Sequence, residues 1–531
     1  MILLGLTGGF HFGSCDAAAA VMKDGKLVAA LEEERVSRVK YSYGIPPTRC
    51  IKAVLDVAGL NIHEVDAVVL YVSSYPDAIR EMREHIEGLF GFCPPIEVVE
   101  HHLAHAASAY YASPWDESAV ICLDWSGDGV SSSIWKGEGR NLTKVEDIAR
   151  PNSLGTFYAA FTQFLGFERG DEYKVMGLAS YGEAAYNLDD FLDVSGDIYE
   201  LNEDLLNKKN RSLYQRVFSD VLGKWQPELR RYPYQKVERK HMDLAASVQR
   251  YFEKAFFKLA DRARELTGSD KLCLAGGGAL NCKANGLLLK RNTFDEIYVP
   301  PFPNDTGCAF GTASAHAARN GINIEPVTHS KLGPGFSDEE IEKDIMLLKA
   351  TAREIDDPAK EAAKRVTAGE LVGWFQGRME VGPRALGARC ILADPTDVTA
   401  RDRINTFVKF RESFRPFAPS VLMDECDTWF DLHQPSPFMS FTADVLQPER
   451  LPAITHVDGT ARIQTVTNDD HIYAQLLRAM REQNGVGCVL NTSFNYMGQP
   501  VVCNPREAIY TFFGTGLDSL IIGNKVIEKN T

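Results

Sequence analysis

Residues 2–35, ILLGLTGGFHFGSCDAAAAVMKDGKLVAALEEER, decide the fold. They read as an apolar strand (ILLGL), a Gly-rich turn that carries Asp16, a second strand (AAAVM), a tight KDGK turn and a third strand (LVAAL). Short apolar runs separated by Asp-Gly and Gly-rich turns are hairpin signals. Residues 118–139, SAVICLDWSGDGVSSSIWKGEG, repeat the device: SAVICLD, a WSGDG turn, VSSSIWK and a closing GEG turn. Each opening runs into helical sequence, so the expected fold class is α/β with a duplicated N-terminal domain.

That layout is shared by actin-like sugar kinases and ATPases, in which two facing halves hold a nucleotide. In such folds the first turn of each half approaches phosphate or metal, and small residues with a carboxylate suit that task. Residues 271–286, KLCLAGGGALNCKANG, read as a strand, a glycine run (Gly276, Gly277, Gly278) and a helix start whose NH groups can face a ribose or phosphate. Residues 300–314, PPFPNDTGCAFGTAS, place Asp305 on a turn before a small-residue helix. A boundary follows near residue 330, where Ser337 reads as an N-cap with acidic residues in the first turn. Beyond it, strands such as ELVGWFQG, GVGCVLNTS and SLIIG alternate with helical stretches. The expected domains are 1–335 and 336–531.

The 531-residue chain is too long for one core. Its net charge of -15 argues against a broad nucleic-acid or anionic-membrane surface. Eleven scattered cysteines without a CxxC pair point to reduced thiols and a cytoplasmic setting. The N-terminus lacks a basic leader and reads as a core strand rather than a signal peptide. No apolar run is long enough to span a bilayer.

Two constellations carry chemistry. Residues 377–419, GRMEVGPRALGARCILADPTDVTARDRINTFVKFRESFRPFAP, gather Arg378, Arg384, Arg389, Arg401, Arg403, Lys409, Arg411 and Arg415 inside an acidic chain. Guanidinium binds carboxylate and phosphate oxygens in a two-pronged way, so this stretch reads as a site for a small anion. Residues 100–113, EHHLAHAASAYYAS, favour helix and set His101 and His105 four apart, on one face. His102 points about 100° away. Asp124 or Asp128, and Asp305, are the carboxylates that could complete a site for iron, manganese or zinc.

The motifs HHLAHAASAYYAS, EYKVMGLASYG (172–182), GGGALNCKANG, GRMEVGPRALGARCILADP, VKFRESFRPFAPSVL, DGTARIQTV and NTSFNYMGQPVVCNP resemble the NodU/CmcH-type O-carbamoyltransferases, from the first residue to the C-terminus. The resemblance implies an actin-like (ASKHA) metal and nucleotide domain that transfers the carbamoyl group. It implies a C-terminal YrdC-like α/β domain that binds carbamoyl phosphate and ATP and forms carbamoyl-adenylate. The acceptor is then a small hydroxylated natural product, the cofactors ATP with Mg2+ and a divalent metal (Fe2+ first), and the protein a monomer or homodimer that binds no nucleic acid or membrane. By the same resemblance the metal shell is His101, His105, Asp124 and Asp305, and the catalytic set is His101, His105, Asp16, Lys409 and Arg462. Carbamoyl phosphate and nucleotide fall to Arg378, Arg384, Arg389, Lys409, Arg411, Arg415, Met439, Arg462, Asn491, Ser493 and Asn495, with Gly276, Gly277, Gly278 and Asn281 in the other domain.

The chain departs from that pattern at two places. Cys15 stands in Ser14-Cys15-Asp16 where His is usual, with His11 four residues upstream as a possible substitute, and Met497 precedes Gly498 where a basic residue is common. Two further readings stand beside the first: a tRNA threonylcarbamoyladenosine-type transferase, and a nucleotide-binding relative with altered chemistry. The segment 184–240 carries no readable acceptor signature.

Overall fold

The computed structural model describes residues 1–9, 15–72, 77–202, 204 and 218–529. His11 and Ser14 lie outside the described residues. The chain forms two compact units, one of Met1–Glu33 with Tyr41–Thr328, the other of Glu34–Lys40 with His329–Thr531.

The first unit holds the same sheet twice. β1 (Ile2–Thr7), β2 (Ala18–Lys23) and β3 (Lys26–Glu32) form an antiparallel meander, and β4 (Ala67–Val72) and β5 (Ile96–Glu100) extend it in parallel from β1, in the order β3-β2-β1-β4-β5. β6 (Glu117–Gly127), β7 (Val130–Glu138) and β8 (Asn141–Ala149) form the second meander. A two-stranded ribbon, β9 (Leu192–Asp193) with β10 (Glu200–Leu201), intervenes before β11 (Lys271–Ala275) and β12 (Glu296–Tyr298) add in parallel to β6. The order β8-β7-β6-β11-β12 repeats that of the first sheet strand for strand. The N-terminal unit is thus a duplicated, actin-like α/β domain, as its two hairpin openings indicate.

Local chemistry explains the elements. Turns at Asp24-Gly25 and Asp128-Gly129 carry positive φ at both residues, which suits tight hairpins. Strand β1 is buried along almost its whole length, because helices pack on the sheet. One of these, Thr48–Ala58, has no side-chain cap of its own; the Glu33 carboxylate instead accepts from the NH groups of Arg49 and Cys50 at 2.9 and 2.8 Å. Among the described residues no helix is long and apolar enough to cross a membrane.

The second unit is built on one nine-stranded mixed sheet. Its strands are β13 (Ala352–Glu354), β14 (Val372–Phe375), β15 (Arg389–Ala393), β16 (Ala418–Leu422), β17 (Phe441–Asp444), β18 (Thr460–Val466), β19 (Cys488–Ser493), β20 (Ser519–Ile522) and β21 (Lys525–Glu528). They are ordered β13-β21-β20-β14-β15-β19-β16-β18-β17. Helices Pro358–Thr367 and His471–Asn484 lay Ala362, Ala363, Val366, Leu476, Leu477 and Met480 on Trp374, Leu392, Val489 and Ile521 to form its core. The first helix starts with Pro at its first position and Asp357 accepting from the Lys360 NH, and Ser337 with Glu340 forms the capping box of helix Asp338–Leu347.

Candidate functional site

In the first unit the helix His101–Tyr110 is buried on all sides, so its imidazoles face protein rather than water. His101 and His105 converge on the end of β6, which carries Asp124, and on the turn Asp305–Gly307. One ligand atom from each of His101, His105, Asp124 and Asp305 lies within 4.8 Å of the others. His105 Nε2 is 3.1 Å from Asp305 Oδ1 and 4.0 Å from Asp124 Oδ2, and His101 Nε2 is 3.4 Å from Asp124 Oδ2. Neither ring nitrogen of His101 makes a hydrogen bond, nor does His105 Nδ1, although all are buried. Buried polar nitrogens left so are costly, and a divalent cation between the two imidazoles and two carboxylates would satisfy His101 Nε2, beside His105 Nε2, which already meets Asp305.

The charges agree with a cation seat. Burial works to raise the Asp124 carboxyl, but the imidazoles of His101, His105 and His102 outweigh it and hold it well below the usual carboxylate range. Burial would lower His101, yet Asp124, Asp305 and Asp128 raise it to about 8. His102 faces elsewhere: its Nδ1 meets Ser133 Oγ at 2.8 Å and burial pushes it down to about 4. Asp128, the alternative carboxylate, sits 3.4 Å from the His101 backbone NH rather than in the cluster.

Close backbone approach builds this seat. A Cβ on Gly127 would lie 2.2 Å from the His101 ring. Gly276 has φ 85° and its Cβ would lie 2.3 Å from the Leu123 carbonyl oxygen, so the glycine run lies against β6 one residue before Asp124. Gly277 faces Asp124 Oδ1 with nothing nearer than 3.9 Å. Asn281 is a structural residue here: its Oδ1 accepts from the Ala284 NH as the helix cap and its amide pairs with Gln249. Asp16, at φ 54°, accepts from Asn304 Nδ2 at 3.1 Å, which ties the first turn to the neighbour of Asp305. Burial, then Asp16 and Asp305, push the Cys15 thiol well up, which favours its neutral form. Arg169, which the motif reading passed over, stacks on Trp125 at 4.1 Å beside Asp124 in sequence, and an arginine alone in a loop gives no signal of that.

In the second unit the arginine-dense stretch divides. Arg389 is fully buried over Phe375, and its terminal nitrogens donate to the carbonyls of Gln376, Ala388, Pro334 and Gly377. It is a structural arginine rather than the anion ligand expected of it. Arg378 donates to the carbonyls of Gly333 and Leu332, and Arg403 to Gly369 O and Asp518. Asn491 is likewise a scaffold residue, its amide donating to Ala385 O and Ser420 Oγ at 3.0 Å each. A buried guanidinium or amide takes loop carbonyls as partners, yet Arg389 Nε and Asn491 Oδ1 stay buried without a hydrogen bond.

Lys409, Ser493 and Asn495 do come together. Lys409 ends the π-helical turn Ile404–Lys409, and its Nζ donates to Asn495 Oδ1 at 2.6 Å, Asn495 O at 3.0 Å, Ser493 Oγ at 3.2 Å and Ser493 O. Burial, then the charges of Arg411 and Arg415, push the Lys409 ammonium well below its ordinary value. Arg411 lies on Phe417 at 4.6 Å and donates to Asn405 Oδ1, and Arg415 is 3.6 Å from Glu412. Three cations thus share one corner of this unit. Met439 is buried at φ 56°, and Arg462, on β18, has a buried Nε without a hydrogen bond.

The first unit thus holds a buried His/Asp cluster and the second a cluster of three cations. Residues 3–84 and 84–314 match the Carbamoyltransferase N-terminus and residues 363–529 the Carbamoyltransferase C-terminus. The chain therefore belongs to the carbamoyltransferase family and is an enzyme of that class. It is 37% identical to nodulation protein NolNO of Sinorhizobium fredii, over all of this chain and 83% of that protein. It is 29% identical to the 3'-hydroxymethylcephem-O-carbamoyltransferase of Amycolatopsis lactamdurans, over 97% of this chain and 98% of that one. Among solved structures, full-length HypF in its phosphate- and nucleotide-bound form overlaps 60% of this chain and 55% of its own, at 14% identity and a TM-score of 0.33.

Proposed function

We propose that this enzyme transfers the carbamoyl group of carbamoyl phosphate, with ATP, to a hydroxyl of a small-molecule acceptor. The observation that carries the reading is that one carbamoyltransferase chain holds both a His101/His105/Asp124/Asp305 cluster and a separate corner of Lys409, Arg411 and Arg415. The cation corner, to which the family resemblance adds Arg384, suits the dense anions carbamoyl phosphate and ATP. There carbamoyl phosphate, ATP and one water give carbamoyl-adenylate, phosphate and pyrophosphate. At the His/Asp cluster the acceptor hydroxyl attacks the carbamoyl carbon, AMP leaves, and a carbamate ester forms. A divalent cation, Fe2+ by the family resemblance, would polarise the carbamoyl oxygen there. Asp16, which accepts from Asn304, would orient the acceptor or take its proton in the stead of the usual histidine at Cys15. Gly277 leaves room for nucleotide beside Asp124.

The test uses the whole enzyme with carbamoyl phosphate, ATP and a library of hydroxylated small molecules. Pyrophosphate release and a carbamate on the acceptor by mass spectrometry are expected. Arg384→Ala is expected to raise the KM for carbamoyl phosphate in ATP–pyrophosphate exchange about 100-fold, with exchange still measurable at high carbamoyl phosphate. His105→Ala is expected to keep that exchange, lose transfer and lose bound metal by elemental analysis. Exchange lost in His105→Ala with transfer of supplied carbamoyl-adenylate retained would reverse the assignment of steps.

A further inference from the structure

Arg384 stands on the loop of residues 382–389, GPRALGAR, and the main chain of that loop is fixed with unusual completeness. Gly382 O accepts from Arg35 Nη2 at 2.7 Å, Ala385 O from Asn491 Nδ2 at 3.0 Å, Leu386 O from Gln464 Nε2 at 3.1 Å and Gly387 O from Trp374 Nε1 at 2.9 Å. Three NH groups of the loop converge on one oxygen: Glu380 Oε1 accepts from Leu386 at 2.7 Å and from Ala388 and Arg389 at 3.2 Å each. Glu380 is 2% exposed. Gly387 has φ 110°, and a Cβ there would lie 2.6 Å from the Tyr473 ring, so this path of the loop requires glycine at that point.

Converging backbone NH groups form an anion-binding concavity. Here the chain's own carboxylate fills it, so no substrate oxygen can use those NH groups, and an incoming anion must be met by side chains. Of the loop's two arginines, Arg389 is wholly buried against carbonyls and Arg384 is half-buried. We propose that Glu380 is a positioning residue: as an internal anion it locks the loop of residues 382–389 and so presents Arg384 to the carbamoyl phosphate anion. This rests on the reading of the cation corner as the carbamoyl phosphate station. Glu380 itself touches no reactant.

The experiment is ATP–pyrophosphate exchange by the full enzyme at varied carbamoyl phosphate and varied ATP. Glu380→Ala is expected to raise the KM for carbamoyl phosphate about 10- to 100-fold, as misplacement by an ångström does, and to leave the KM for ATP within about twofold. In the Arg384→Ala background, Glu380→Ala is expected to add nothing, because the two act through one contact. Glu380→Gln keeps an acceptor oxygen and removes the charge, and it guards against a fold defect in the alanine variant. It is expected to raise the KM for carbamoyl phosphate about three- to tenfold while circular dichroism and melting stay near wild type. An unchanged KM in Glu380→Gln, equal rises in both KM values, or effects of Glu380→Ala and Arg384→Ala that multiply would each overturn the proposal. An unchanged KM in Arg384→Ala would overturn both it and the station reading beneath it.

Discussion

Lys409 is the residue whose chemistry most constrains the second unit. It is one of three cations in its corner, and burial with the charges of Arg411 and Arg415 pushes its pKa well below the ordinary lysine value, so a bound anion is expected to raise it again. The sign follows from that direction. In the free enzyme the lowered value means protons are lost as pH rises through it; a bound phosphate returns the value toward the ordinary range. Between the two values binding takes up a proton, and affinity falls as pH rises. Titration of inorganic phosphate in buffers of different ionisation enthalpy, above neutral pH, is expected to show proton uptake that Lys409→Met abolishes. The same lowered value makes Lys409 a cost to folding below the ordinary lysine range, which the four oxygens around Nζ offset.

Elements decide which of these residues meet. The duplicated hairpins were legible because their signals are local: short apolar runs and Asp-Gly turns need no tertiary information. The i, i+4 spacing of His101 and His105 was legible for the same reason, and Asp305 stood out by its turn before a small-residue helix. The sorting of the arginines was not legible. Whether Arg389 meets phosphate or carbonyl depends on where residues 334 and 376–377 run, and nothing local to the arginine tells it. Glu380 was invisible because a single glutamate among apolar residues carries no pattern. Three of the nine strands of the second sheet stood out, β14, β19 and β20; of the other six, β15 and β16 are buried end to end and show no alternation. Close packing between elements yields a direct test. Gly127→Ala sets a Cβ on the His101 ring, so it is expected to lower metal content and slow transfer at least about tenfold while the pyrophosphate exchange persists. Metal analysis beside both assays checks it; full metal loading in that variant would contradict the account.

At the scale of the whole molecule the two units carry separable chemistry under the proposed reading. Chelation of the enzyme is therefore expected to abolish carbamoyl transfer and to leave carbamoyl-phosphate-dependent exchange, once Mg2+ for ATP is restored, within about twofold. Loss of both together would argue for a single station. The units also carry separable stability, as expected of a chain this long. Arg38 donates to the carbonyls of Val501 and Pro500 at 2.6 and 2.8 Å and pairs with Glu507 at 3.1 Å. Arg38→Ala is expected to destabilise the second unit by about 1–3 kcal/mol in urea titration, with the first unit's transition unmoved.

The membership of Glu34–Lys40 in the second unit has a consequence for how the chain is made. These seven residues leave the ribosome among the first, yet Gly382, Pro500 and Val501, whose carbonyls receive Arg35 and Arg38, leave it among the last. At about 5–20 residues per second the wait is on the order of tens of seconds. Vectorial folding from the N-terminus can finish most of the first unit in that interval. The second unit's bonds from Arg35 and Arg38 can therefore close only when a segment made near the start meets carbonyls made much later.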